Sequence, residues 1–325
     1  MKKWNLLMGL ALMTALSAAR ADSAATIQAV QRDWLGPRAA EFARDSAALV
    51  PAVQALCDAS ADKAEASLQQ ARRQWLASLS SWERLSGVAI GPVLERRSQR
   101  QIDFTPTRPR MIEKAIAAEP KGPADMELIG TPAKGLPALE WLLWVKPVKP
   151  ASPACRYAVQ VAADIRHEAE ALAAAKPSAV DPQAMLSELV NQWVGGLERL
   201  RWANMEMPVR VAITSGADSN PDYPRGASGA SVAAWAAQWD ALRSLAMQGE
   251  GSLQAALRAR GQAKAADALA QAVKRAEAGM QGLTAADKVR ILAAAKELAA
   301  LKRLVENEVA PALGVSIGFS DSDGD

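Results

Sequence analysis

Glu140 sits in the segment Gly135-Leu-Pro-Ala-Leu-Glu140-Trp-Leu-Leu-Trp144. Leu136, Glu140 and Leu143/Trp144 follow the i, i+4, i+7/8 spacing of one helix face, which puts a carboxyl inside an apolar stripe. Such a group must be paired, hydrogen-bonded or protonated, because an isolated buried charge is too costly. Two roles fit it: a ligand or acid–base group, or a structural acid satisfied by Arg84, Arg108 or Arg110. Other chemistry-bearing residues are few. His167, the one histidine, lies two positions past Ile165, on the solvent side of its helix. Met205 and Met207 carry thioethers that suit a soft metal, but methionines ending an apolar helix are ordinary core filler. Asp321-Ser-Asp323-Gly-Asp325 matches the first positions of a calcium loop and lacks the bidentate acid at the twelfth. Ser215, Ser228 and Ser231 have no G-x-S-x-G elbow around them, and no H-E-x-x-H, P-loop or dinucleotide motif occurs.

Helices must carry these residues. Ala, Leu, Gln, Glu, Lys and Arg dominate, and alternating β-branched runs are absent, so the fold is expected to be all-α. Leu68, Trp75, Leu79 and Trp82 form one helical stripe; Tyr157, Val161, Ile165, Ala169 and Leu172 form another; Leu186, Leu189, Trp193, Leu197 and Leu200 form a third. Helices are predicted near 24–58, 61–88, 109–118, 135–145, 154–175, 182–206, 228–249, 261–281 and 284–311. Gly91-Pro92 ends one of them, and prolines break Ile102 to Pro109, Glu119 to Lys134 and Lys146 to Pro153. Pro208 to Ala227 reads as one long loop of the kind that often carries function. A linker near 176–182 divides the chain into 22–178 and 179–325. Two four-helix-bundle-like domains packed side by side are the economical architecture.

The chain has 325 residues, half of them hydrophobic, enough for a sizeable core. Met1–Ala21 has the layout of a cleavable signal peptide: Lys2 and Lys3, a short apolar run, then Ala19-Arg20-Ala21. With no Cys at that cleavage point a lipoprotein is not expected, and no later stretch is long enough for a transmembrane anchor. The expected address is the periplasm. The net charge of +3 comes entirely from this leader, which holds Lys2, Lys3 and Arg20 and no acid. No basic surplus remains for nucleic acid. In an oxidising compartment the two cysteines, Cys57 and Cys155, are expected to pair; two buried thiols are the alternative. One His and two Cys are too few for a multi-His or multi-Cys metal centre.

Several motifs in fixed order resemble the imelysin-like family. They are Trp75 and Trp82 leading into Ile90-Gly91-Pro92; Ile102-Asp-Phe104-Thr-Pro106-Thr-Arg108; Gly135-Leu-Pro-Ala-Leu-Glu140; Cys155-Arg-Tyr157; Ser228-Gly-Ala-Ser231; and the closing Ile317-Gly-Phe319…Asp323-Gly324-Asp325. The resemblance implies two helical bundles with a functional cleft between them. It also implies a periplasmic or outer-membrane-associated location, a link to iron uptake, and a naming member described as a peptidase. The family motif G-x-H-x-x-E, proposed as a metal site, here has Pro137 in the His position, so only Glu140 of the pair carries over. The implied cleft residues are Trp82, Arg84, Phe104, Arg108, Gly135, Glu140, Ser228 and Ser231. The first expectation is a binding protein for iron, another divalent metal or an uptake partner, with Glu140 as the candidate ligand. A metal-dependent peptidase and a non-catalytic scaffold are the alternatives.

Overall fold

A computed structural model describes residues 22–176, 181–216 and 219–318. The leader Met1–Ala21 and the tail Asp321–Asp325 lie outside the described residues, as do residues 177–180 of the expected linker. The described residues form helices and connecting loops with no strand. In chain order the helices include α1 (Gly36–Cys57), α2 (Ala64–Ser86), α3 (Ser98–Ile102, a short turn), α4 (Pro109–Ala118), α5 (Gly135–Glu140), α6 (Pro153–Ala174), α7 (Pro182–Glu198), α8 (Met207–Ser215), α9 (Ser231–Met247), α10 (Ala263–Met280) and α11 (Lys288–Leu304). None is long and apolar enough to cross a membrane.

Two hydrophobic cores organise them. In the first, α1 packs between α2 and α6, burying Phe42, Trp75, Trp82 and Tyr157. Cys57 and Cys155 form a disulfide that ties the end of α1 to the start of α6. The loop it closes is long enough for a constraint on the unfolded chain of about 5 kcal/mol. In the second core, α7, α9, α10 and α11 bury Trp193, Trp235 and a run of Leu and Ala. The cores do not follow chain order. Ile27, Val30 and Trp34 belong to the second, and Ala230 and Ala234 of the α9 start belong to the first. Trp34 donates its indole N–H to Ser244 Oγ at 2.9 Å, fastening the leading segment to α9.

The expected loop from Pro208 to Ala227 is corrected in part. Its first residues are α8, continuous with α7 through a π-helical stretch, Arg199–Glu206. A proline inside an α-helix lacks an N–H and clashes with the carbonyl four residues back. A π stretch widens the preceding turn and relieves that clash. The same device precedes Pro37 (Val30–Leu35) and Pro311 (Val305–Val309), where helices also continue. Before Pro147, the π stretch Trp141–Val145 instead ends its helix.

The bundles meet at a glycine crossing. A Cβ on Gly196 of α7 would lie 2.0 Å from the carbonyl oxygen of Gly87, just past α2. Only a missing side chain lets these backbones approach so closely.

Candidate functional site

The motif helix α5 is placed by a clamp at its entrance. Gly135 has φ +76, and a Cβ there would meet the Ile102 carbonyl at 2.4 Å, so glycine is required twice over. Buried Lys134 reaches the Met126 carbonyl and Asp164, each at 3.3 Å. Tyr157 donates its hydroxyl to the Ala133 carbonyl at 2.6 Å, and burial pushes that hydroxyl's pKa well up. Trp75 donates to the Leu136 carbonyl at 3.1 Å. Pro137 sits in the first turn, where its missing N–H costs little.

Glu140 is thereby held 5% exposed. One of its oxygens accepts from the Ser228 amide at 3.0 Å and from the Ser228 hydroxyl at 2.6 Å. The other lies 3.8 Å from the guanidinium of Arg225. Arg225 is buried, bonds Asp103, and lies over the Trp75 ring at 5.9 Å. Burial works against its charge, but Asp103, Glu83 and Glu140 outweigh that and raise its pKa. The other Asp103 oxygen accepts from the Trp82 indole at 3.3 Å. The loop carrying Arg225 and Ser228 is closed by Ser231, whose hydroxyl donates to the Pro224 carbonyl at 2.8 Å.

Arg225, Asp103 and Trp82 form part of the floor of a cleft of about 940 Å³ whose walls come from both cores. Glu83 of α2 lines it beside them and accepts from Gln238 of α9 at 2.6 Å. Gln238 in turn accepts from Asn204 at 2.9 Å. Burial, with Asp103 adding to it, pushes the Glu83 carboxyl up to about 7 against the opposing pull of Arg225, Arg199 and the Gln238 bond. Arg199 lines the cleft and donates to the Ser86 carbonyl at 2.6 Å, bridging the bundles.

The residues expected at the cleft therefore divide. Trp82 and Phe104 line it. Glu140 and Ser228 sit directly behind Arg225, and Gly135 and Ser231 shape the backbone that carries them. Arg84 and Arg108 are not brought there: Arg84 pairs with Glu41 at 3.1 Å, and Arg108 is exposed at the start of α4. The cation beside Glu140 is Arg225, not Arg84, Arg108 or Arg110. His167 is exposed, Met205 is buried core, and Met207 is exposed.

The sequence reading missed Glu83, Asp103, Arg199, Arg225 and Gln238 as site residues. Glu83 carried a usable signal, because it lies four residues past Leu79 and eight past Trp75, as Glu140 does within its own stripe. Arg225 lies in a loop without periodicity and carried none.

The surroundings of Glu140 are unfavourable to a metal ion. Pro137 offers no donor, the carboxylate is engaged by Ser228, and the nearest charged neighbour is a guanidinium that would repel a cation. Among the described residues no group of three or more His, Cys, Asp or Glu side chains could hold a metal ion. The residues present do not fit a family-type metal at this position.

The chain belongs to the Imelysin family, whose model matches residues 35–311. Its fold is that of an imelysin-like protein from Psychrobacter arcticum 273-4, at TM-score 0.73 and 21% identity, over 93% of this chain and 98% of that one. It is also that of a putative iron-regulated protein A precursor from Parabacteroides distasonis ATCC 8503, at TM-score 0.69 and 14% identity, over 88% and 94% of the chains. No curated protein matches in sequence.

Proposed function

We propose that this protein is a periplasmic binding protein of iron acquisition, taking its ligand in the cleft between the two helical bundles. The observation that carries the reading is the cleft itself: about 940 Å³, walled by both cores and floored by a buried polar network. Such a network costs desolvation energy that a purely structural interface could avoid with apolar residues. The name of the Parabacteroides neighbour, an iron-regulated protein precursor, supports the iron link and the exported address. The leader-like Met1–Ala21 supports the same address. Peptide hydrolysis of the family's naming type would need an activated water, and Glu140, engaged by Ser228 and beside Arg225, is poorly placed to hold a metal that activates one.

Equilibrium dialysis against iron, supplied as aquated Fe(II) and as ferric citrate, tests this. The mature chain should retain at least one form. Gln192→Trp, which fills the cleft from α7, should retain neither while melting as wild type does. Iron retained equally by both proteins, or by neither, would discard the reading.

A further inference from the structure

Arginines dominate the charge of the cleft. Arg97, Arg100, Arg199 and Arg225 line it, against the carboxyl groups of Glu83 and Asp103. The two acids are already engaged: Asp103 by Arg225 and Trp82, Glu83 by Gln238. The arginines are not matched in the same way. Arg225 is spent on Asp103, whereas Arg199 donates to the Ser86 carbonyl and acts on Glu83 only through space, with no ion pair. Among the described residues no acceptor is paired with the guanidinium of Arg97 or Arg100. Among the described residues, the three guanidiniums of Arg97, Arg100 and Arg199 thus face one space with no ion pair of their own.

Their placement is built rather than incidental. Arg97 has φ +54, a left-handed backbone that a non-glycine residue adopts only at a cost. Both of its neighbours are fastened to one buried acid. Arg96 grips Glu168 through two nitrogens at 3.0 and 2.6 Å, and the Ser98 hydroxyl donates to the same carboxylate at 2.6 Å. This anchor fixes the turn that carries Arg97 and, through α3, Arg100. Aromatic side chains (Trp82, Phe104, Trp235) give the cleft apolar walls beside its charges.

We infer that the cleft takes an organic polycarboxylate, either free or as the shell of a chelated metal, through Arg97, Arg100 and Arg199. The inference rests on the cleft-binding reading above and names its ligand class. Guanidinium forks match carboxylate geometry with paired, charge-assisted hydrogen bonds. A bare cation would meet uncompensated positive charge there. The volume is also far larger than an inorganic anion needs.

Titration calorimetry on the mature chain decides it, with four probes: citrate, ferric citrate, aquated Fe(II) and inorganic phosphate. Wild type should bind citrate, ferric citrate or both at micromolar strength, more weakly as salt is raised. Preference between the first two tells free acid from chelate. Arg97→Gln/Arg100→Gln changes two exposed side chains, so it should melt as wild type does while losing roughly tenfold to 100-fold in affinity. Carboxylate binding undiminished in that variant would overturn the inference, and so would phosphate binding more tightly than either citrate form. Fe(II) bound alone, with both citrate forms rejected, would overturn it while leaving the cleft-binding reading intact. No binding of any iron form or of citrate would remove both.

Discussion

Arg225 is the residue on which the buried network turns, since it faces Asp103, Glu140 and the Trp75 ring at once. Truncating it strands buried Glu140 and half-buried Asp103, whereas changing Glu140 to Gln keeps an oxygen for Ser228 and loses only one arm. Arg225→Ala should therefore cost about 3–5 kcal/mol in urea unfolding, and Glu140→Gln distinctly less, about 1 kcal/mol. Equal losses would mean that the carboxylate, not the guanidinium, organises the site. Glu83 supplies the pH dependence. Its folded pKa, about 7, lies above the ordinary 4.5 because burial disfavours the charged form. The folded state then holds a proton that the unfolded state has released. The stability linked to Glu83 is full below pH 4.5 and is lost as pH rises to about 7. The whole swing is on the order of 3 kcal/mol. Glu83→Gln should flatten this slope and raise the melting temperature at pH 8, read by calorimetric scans at several pH values. An unchanged slope would place the titrating group elsewhere.

At the scale of elements, α5 owes its position to its entrance. Gly135 combines a positive φ with contact against the Ile102 carbonyl. Gly135→Ala must move backbone, so we expect a loss of about 2 kcal/mol or more. Because α5 carries Glu140, the variant should also perturb the fluorescence of Trp82 and Trp75, whose indoles bond Asp103 and the Leu136 carbonyl. A stable variant with native fluorescence would show that the clamp of Lys134 and Tyr157 suffices alone. The π stretches belong to this scale too. They explain why Pro208, a stop signal in sequence, stands inside a continuous run of helix: the widened turn before it removes the clash that would have ended the helix.

For the whole molecule, the gap between bundles sets the cleft, and the Gly87–Gly196 crossing fixes that gap. Gly196→Ala drives a methyl into backbone, which cannot rotate away as a side chain would. We expect about 2–3 kcal/mol of destabilisation and a bundle displacement visible by small-angle scattering. A wild-type profile and stability would mean the crossing is looser than its geometry. The polar contacts that span the gap, Glu83 with Gln238 and Arg199 with Ser86, should weaken together in that variant.

The helices and their faces were legible in the residues alone. The stripes through Trp75, Tyr157 and Trp193 repeat at helical spacing and needed nothing distant to be read. Equally legible was the need to satisfy Glu140, because a carboxyl in an apolar stripe leaves no other choice. What satisfied it was decided only in three dimensions. Ser228 lies 88 positions away from Glu140 and Arg225 lies 122 away from Asp103, in a loop whose local sequence has no period to interpret. Tertiary structure likewise sent the leading helical segment to the second core and, among the described residues, left three arginines of the cleft without ion pairs. Local periodicity reports which face of a helix is buried. Which charge meets which across a bundle interface depends on the angle and distance between helices, and those are set by packing of the whole chain.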